Sequence, residues 1–93
     1  MKVIVYTMDG CPHCDNLKKI LKENKITFTE KNVDKYEKEY EKFSKIVESE
    51  YLPAILVGKR AFIPEKSFKT ISQAGTLIES YLLEQSNRGN HLG

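Results

Sequence analysis

The sequence contains no tryptophan and only two cysteines, Cys11 and Cys14, which are separated by two residues. A pair this close in sequence cannot tie distant parts of a fold together, so the disulfide framework of a small secreted domain is excluded. No stretch approaches eighteen apolar residues, and no hydrophobic segment with a small-residue cleavage site follows the first two residues. Neither a membrane span nor a secretory signal is therefore predicted, and we expect a cytoplasmic protein with no membrane partner.

The sequence also lacks an excess of charge of either sign. Fifteen Lys and Arg residues stand against thirteen Asp and Glu residues, a formal charge of +2, and the two signs are interleaved through the middle of the chain. This balance argues against nucleic acid as a partner, because the protein surfaces that bind nucleic acid are strongly basic. With 93 residues, 40% of them apolar, the chain is predicted to form one soluble domain, and we expect a monomer.

The first part of the chain predicts the order strand, helix, strand. Residues 2–7 form a nearly continuous apolar run, typical of a central strand covered on both faces. Pro12 suits the first turn of a helix, and apolar residues at helical spacing predict an amphipathic helix over residues 12–24. Ile26 and Phe28 alternate with threonines, which indicates a second strand, so a parallel crossover connection follows.

The second part predicts a helix, a β-hairpin and a further helix. Pro53 opens an apolar strand, residues 58–59 make a tight turn, and residues 60–63 return antiparallel. Gly75 is predicted to interrupt or end the first part of the last helical segment. We expect the domain to cover residues 1–85 and a flexible tail to cover residues 86–93. The apolar face of the preceding helix is predicted to consist of Tyr36, Tyr40, Phe43, Ile46 and Val47.

The Cys11-Pro12-His13-Cys14 segment lies at the predicted start of the first helix. Unpaired backbone N–H groups and the positive end of the helix dipole stabilise a thiolate at this position. In comparable sites the thiol pKa falls from about 8.5 to roughly 3.5–7.5. Cys11 is therefore predicted to be a nucleophile, and Cys14, one turn further into the helix, is predicted to resolve a mixed disulfide on Cys11.

From residue 2 to about residue 83 the sequence resembles the glutaredoxin branch of the thioredoxin superfamily. The resemblance rests on the strand that ends four residues before Cys11, the Cys-Pro-His-Cys motif, Pro53 at the start of the third strand, and Gly-Thr-Leu at residues 75–77. It implies an α/β, thioredoxin-like fold with a central four-stranded mixed sheet flanked by three or more helices. It also implies thiol–disulfide oxidoreductase activity.

The resemblance further implies that Pro53 follows a cis peptide bond and lies beside the dithiol, where it shapes a groove for a substrate strand. His13 is unusual for the family, in which Tyr is more common, and a histidine here would stabilise the Cys11 thiolate and raise the reduction potential above that of thioredoxin. An exposed histidine without any effect is the alternative. The predicted site consists of the catalytic residues Cys11, Pro12, His13 and Cys14 and the groove residues Tyr6, Leu52 and Pro53.

Two segments depart from the family pattern for glutathione binding. Met8 occupies a position where Lys is usual, and residues 63–64 and 66–67 replace a Gly-Gly pair and an acidic pair. Lys66 is poorly suited to meet the ammonium group of glutathione, and Ser67 is better interpreted as a helix N-cap. Residues 62–66 instead resemble, in part, a stretch of the glutaredoxin-like redoxins that donate electrons to ribonucleotide reductase and are recharged by thioredoxin reductase. The alternative is a loop in which Pro64 rigidifies the entry to the last helix.

Three functions are compatible with these residues. The first is an oxidoreductase whose substrate is a disulfide-containing protein or a glutathione mixed disulfide. Its electron source is glutathione or thioredoxin reductase. No tightly bound cofactor is expected, and glutathione is a possible co-substrate. The second is an iron–sulfur module, in which Cys11 and Cys14 supply half of a tetrahedral site. His13 and His91 do not complete that site, so no metal site within one chain is expected. A cluster would require a dimer and external thiols. The third is a non-catalytic adaptor with a peptide groove lined by Tyr6, Tyr51 and Phe62, for which core packing is the alternative.

Overall fold

A computed structural model describes residues 2–91 and, within the last helix, side chains as far as residue 85. The chain forms four strands and three helices in the predicted order. They are β1 (Val3–Thr7), α1 (Pro12–Glu23), β2 (Thr29–Asn32), α2 (Glu37–Val47), β3 (Ala54–Val57), β4 (Arg60–Phe62) and α3 (Ile71–His91). Among the described helices, none combines the length and the apolar character needed to span a membrane.

The four strands form one mixed sheet in the order β2-β1-β3-β4. β1 pairs parallel with β2 and antiparallel with β3, and β4 pairs antiparallel with β3. β1 and β3 are therefore the interior strands, which explains why their sequences are apolar on both faces. The predicted thioredoxin-like α/β fold, with a four-stranded mixed sheet and three helices, is confirmed.

The hydrophobic core is divided between the two faces of the sheet. Val3 and Val5 belong to a cluster with side chains from α1 and α3, whereas Tyr6 belongs to a cluster with Phe43 of α2. Neighbouring residues of β1 thus supply opposite faces, as the alternation of a strand requires. Burial of one Leu or Ile side chain in such a core contributes roughly 1.5–3 kcal/mol.

Gly75 lies inside α3 and neither interrupts nor ends it, so the predicted break is wrong. A Cβ atom placed on Gly75 would lie only 2.6 Å from Cγ2 of Ile20 on α1. The glycine therefore allows α3 to approach α1 closely. Its role is in helix packing, and the helical hydrogen bonding continues through it.

Two elements begin later than the sequence predicts. Ile26 and Phe28 pack against the core from the connection that precedes β2, which starts only at Thr29. Tyr36 is the N-cap of α2 and is exposed, and Ile46 is 80% exposed, so neither belongs to the buried face of that helix. The buried face of α2 is therefore narrower than the five apolar residues indicate. Of those five, only Tyr40, Phe43 and Val47 belong to the hydrophobic cluster that contains Tyr6.

The sequence places the end of the domain at residue 85, whereas α3 continues to His91. The backbone at residues 86–91 is thus helical, and residues 92–93 lie outside the described part of the chain. Among the α3 side chains that the structure describes, which end at residue 85, the last to pack on the core belong to Tyr81 and Leu82. The domain boundary and the flexibility of the tail remain predictions.

Candidate active site

Cys11 is the N-cap of α1, and Pro12 is the first residue of that helix. The Cys11 backbone is extended, and its Sγ accepts a hydrogen bond from the Cys14 backbone N–H at 3.1 Å. The Cys11 carbonyl accepts a second bond from the Asp15 N–H at 3.2 Å. Gly10, with φ +73°, makes the turn that brings the chain from β1 into this position.

The two sulfurs of the motif are bonded to each other, and the Cα atoms of Cys11 and Cys14 are 5.3 Å apart. Cys14 is 1% exposed, Cys11 is half-buried, and the side chains of Pro12 and His13 are exposed. The redox-active pair is therefore asymmetric. An approaching disulfide reaches Cys11 first, while Cys14 stays covered by the protein.

A groove of about 710 Å³ lies beside the motif. His13 and Asn16 of α1 form one side, and Leu52 and Pro53 form another. The Leu52–Pro53 peptide bond is cis, as the family resemblance implies. The loop before α3 and the first residues of α3 complete the lining with Pro64, Glu65, Phe68, Lys69, Thr70, Ile71 and Ser72, and Tyr51 stands at the rim.

Tyr6 does not line this groove. Its side chain is 2% exposed and packs between Tyr40 and Phe43, and its hydroxyl donates a hydrogen bond to Oε2 of Glu39 at 2.8 Å. Burial and, secondly, the neighbouring Glu39 carboxylate raise the pKa of Tyr6. Tyr6 therefore connects β1 to α2, and its position is explained by packing.

Of the three aromatic residues considered for a peptide groove, only Tyr51 is available to a ligand. Phe62 is buried, and its ring meets Tyr81 edge-on at 5.8 Å between centroids. The Tyr51 side chain is 62% exposed and lines the groove. The core-packing interpretation thus holds for Phe62, as it does for Tyr6, whereas Tyr51 faces solvent.

Lys66 is bound to the end of α2. Its Nζ donates hydrogen bonds to the carbonyl oxygens of Val47, at 2.6 Å, and Glu48, at 3.0 Å. A cation at this end of a helix satisfies carbonyls without helical partners and complements the negative end of the dipole. Lys66 accordingly has a structural partner on its own chain.

Ser67 is not a helix N-cap, because α3 starts only at Ile71 and the Ser67 hydroxyl accepts its hydrogen bond from the Ile63 N–H, at 3.0 Å. Thr70 and Gln73 cap α3 instead. Thr70 Oγ1 accepts from the Gln73 N–H at 3.2 Å, and Gln73 Oε1 accepts from the N–H groups of Lys69 and Thr70 at 2.8 and 3.2 Å. The Thr-x-x-Gln spacing of a capping box, visible in the sequence at residues 70–73, is the signal that would have placed this helix start.

Two carboxylates tie the edge strand β2 to the rest of the molecule. Glu30 accepts hydrogen bonds from Lys18 of α1, at 2.9 Å, and from the buried hydroxyl of Thr7, at 2.8 Å. The Lys18 ammonium and then the Thr7 hydroxyl lower the pKa of Glu30. On the other face of the sheet, Lys31 binds Glu39 at 2.8 Å. These pairs involve residues far apart in sequence and were not predicted.

Among the side chains that the structure describes, those of residues 2–85, no group of three or more His, Cys, Asp and Glu is arranged to hold a metal ion. The described donors at the site are the two cysteine sulfurs, which here bind each other. The geometry of the site therefore fits a dithiol–disulfide pair.

A model of the Glutaredoxin family matches residues 3–63, which include β1, the motif, α2 and the β-hairpin. No curated protein sequence matches the chain. The matched region begins with the strand that leads into Cys11 and ends just after β4.

Three solved structures illustrate the similarity in fold. The glutaredoxin-like protein NrdH-redoxin from Escherichia coli superposes with a TM-score of 0.64 at 20% identity, over 78% of this chain and 93% of its own. Glutaredoxin from Brucella melitensis gives 0.63 at 20% identity, over 91% and 86%. Glutaredoxin grx-1 from Archaeoglobus fulgidus gives 0.60 at 25% identity, over 71% and 77%.

Proposed function

The chain belongs to the glutaredoxin family, and from that premise we propose that it is a thiol–disulfide oxidoreductase that reduces disulfides through Cys11. One observation supports this function above the others: Cys11 caps α1 with its sulfur on the Cys14 N–H, while Cys14 is buried behind it. A sulfur that accepts a backbone N–H at a helix start is stabilised as a thiolate, which is the nucleophilic form.

The reaction takes two exchanges. In the reduced protein, the Cys11 thiolate attacks one sulfur of the substrate disulfide, forms a mixed disulfide with it, and releases the other sulfur as a thiolate. Cys14 then loses its proton and attacks Cys11, which releases the first substrate sulfur as a second thiolate and leaves the Cys11–Cys14 disulfide. Two electrons pass from the protein to the substrate, and the substrate thiolates take up protons according to their pKa values.

The substrate in this proposal is a disulfide in a protein, with ribonucleotide reductase as one candidate partner and thioredoxin reductase as the electron source. Support comes from the similarity in fold to the Escherichia coli NrdH-redoxin, a protein described as having a thioredoxin-like activity profile. It also comes from Lys66. The family pattern for glutathione binding has an acidic residue near this position, whereas Lys66 is basic and binds the end of α2. Glutathione as reductant or mixed-disulfide substrate is the alternative. We place the protein in the cytoplasm as a monomer without a tightly bound cofactor.

Reduction of insulin disulfides by the Cys11→Ser and Cys14→Ser variants tests the proposed chemistry. We expect Cys11→Ser to lose all turnover, whereas Cys14→Ser should accumulate a mixed disulfide on Cys11 that mass spectrometry detects. Ser44→Ala, a change of hydroxyl on α2, is the control for general damage to the fold and should retain turnover. Undiminished turnover by Cys11→Ser would contradict the proposal.

The electron source is tested separately on the oxidised wild-type protein. Reduction by thioredoxin reductase with NADPH and reduction by glutathione with its own reductase are followed in parallel through NADPH oxidation. We expect the first route to be the faster. A clear preference for glutathione would indicate that glutathione, and not thioredoxin reductase, is the electron source. The proposed dithiol chemistry would still stand.

A further inference from the structure

Tyr51 is a large side chain that the fold leaves in solvent beside the active site. It is 62% exposed and lines the groove together with His13 and Pro53. Its backbone N–H donates to the Ser49 hydroxyl at 3.2 Å, and Leu52 and Pro53, which also line the groove, follow it in the chain. The ring therefore lies directly before the segment that lines the groove beside His13.

The rest of the groove is largely apolar and has nearly no net charge. Its fixed charges are one carboxylate, from Glu65, and one ammonium, from Lys69. The Glu65 backbone has φ +70° and is held there by its N–H, which donates to the Phe68 carbonyl at 2.8 Å. The apolar lining consists of Leu52, Pro53, Pro64, Phe68 and Ile71.

Several groups that could hold the carboxylates of a small ligand such as glutathione are already bound within the chain, which leaves the Lys69 ammonium as the one lysine group among the described groove residues. The Lys66 ammonium donates to the carbonyls at the end of α2. The N–H groups of Lys69, Thr70 and Gln73 at the start of α3 donate to side chains of their own capping box. A ligand with two carboxylates thus meets one ammonium and one like-charged carboxylate in the groove, whereas an uncharged ligand with apolar groups meets the apolar lining without leaving a charge unpaired.

Strand β3 joins the sheet only from Ala54 onward, so the backbone of Leu52 lies beyond the end of the strand ladder. An extended segment laid along Leu52 would pass Tyr51, which precedes Leu52 and lines the same groove. Contact between an apolar or aromatic side chain and a tyrosine ring removes a large area of both from water. The position of the ring therefore favours one kind of neighbour for the substrate cysteine.

We propose that Tyr51 selects, among the substrate strands that this groove receives, those with an apolar or aromatic residue next to the disulfide cysteine. The proposal rests on the oxidoreductase function stated above. Tyr51 is a specificity-determining residue in it, and the exchange itself takes place at Cys11. The favoured partner is a protein disulfide with apolar flanks, and glutathione is the disfavoured one.

Two short synthetic peptides serve as probes, each with one cysteine bound as a mixed disulfide to thionitrobenzoate. One has Phe on both sides of the cysteine, and the other has Ser in both positions. Release of the coloured thiol by the pre-reduced protein gives a second-order rate constant for each. We expect the wild type to react about tenfold faster with the Phe peptide, the preference that one aromatic contact supplies.

The Tyr51→Ser variant should lose most of this preference, and Tyr51→Phe should keep it. Ile46→Ser, a change at an 80% exposed apolar side chain of α2 outside the groove, is the matched control and should keep it too. The same chromophore bound to glutathione is a third probe, expected to react more slowly than the Phe peptide.

Three results would each overturn the role of Tyr51: an unchanged preference in Tyr51→Ser, no preference in the wild type, or a faster reaction with the glutathione probe than with the Phe peptide. The oxidoreductase function would still stand. No release above that of Cys11→Ser with any probe would overturn both. Circular dichroism of each variant confirms that the compared proteins are folded.

Discussion

His13 is an exposed side chain inside the redox motif, and it also lines the substrate groove. A protonated imidazole near Cys11 stabilises the thiolate and hence the reduced form, although solvent screens the interaction at an exposed position. We therefore predict that the charge of His13 acts on the reduction potential and that its ring acts on the groove.

Replacement of His13 with Tyr is expected to lower the reduction potential by about 30 mV or less, which corresponds to at most about 1.4 kcal/mol for a two-electron couple. Equilibration of each protein with glutathione buffers of known potential measures the difference. Because the effect is electrostatic, it should shrink as salt is added. A potential that is the same in both proteins at low salt would show that His13 has no effect on the dithiol.

The contact between α1 and α3 depends on the absence of a side chain at residue 75. Alanine in the interior of a helix is usually more stable than glycine by about 1 kcal/mol. Here the added methyl would lie 2.6 Å from Cγ2 of Ile20, and overpacking of this kind costs typically 1–3 kcal/mol. We expect Gly75→Ala to lower the free energy of unfolding, measured by urea denaturation, by about 1 kcal/mol.

The matched test uses the Ile20→Ala background, from which the obstructing methyl is absent. Gly75→Ala should be neutral or stabilising there, so the sign of its effect should change. If the substitution stabilises the protein in both backgrounds, the close approach of the two helices does not govern the choice of glycine.

The attachment of α2 to the sheet includes a pH-sensitive carboxylate. Lys31 and then Tyr6 lower the pKa of Glu39 below the usual value of 4.5. A lowered folded-state pKa means that the interaction contributes stability above pH 4.5 and that this contribution is lost as the pH falls through the folded-state pKa. Glu39 is substantially exposed, so the contribution is about 1 kcal/mol or less.

The Glu39→Gln variant is therefore expected to be less stable than the wild type at neutral pH and to approach it in strong acid. Thermal unfolding of both proteins between neutral and acidic pH measures the difference. The control variant is Lys45→Gln. It removes another exposed ion pair of α2, the one between Lys45 and Glu41. A deficit for Glu39→Gln that persists undiminished in acid would rule out ionisation as its cause.

Elements with strong local patterns could be predicted from the sequence, and elements defined by distant contacts could not. The apolar run of β1, Pro12 at the start of α1 and the turn at residues 58–59 each specify a local structure. The polar strand β2 is recognisable only through its pairing with β1, and Gly75 only through Ile20. The dithiol was predicted because one short segment contains it, whereas the placement of Tyr6 depends on Glu39, 33 residues away.

At the scale of the molecule, the described core contacts of α3 end near the predicted domain boundary. Of the helix side chains described, through residue 85, those of Tyr81 and Leu82 are the last that pack on the main cluster. A chain that ends at residue 85 is therefore expected to keep the fold and the redox activity, with a change in the free energy of unfolding below about 1 kcal/mol. Denaturation and insulin reduction by the shortened chain measure this. A large loss of stability would place residues 86–93 within the domain.

The two hydrogen bonds from Lys66 to the end of α2 also limit how this protein can evolve. A single exchange of Lys66 for an acidic residue would remove both bonds and place a negative charge beside carbonyls that already carry partial negative charge. A lineage acquiring the acidic pair of glutathione-binding relatives would thus pass through a destabilised intermediate. A prior substitution that secures the end of α2 in another way would lessen this loss of stability.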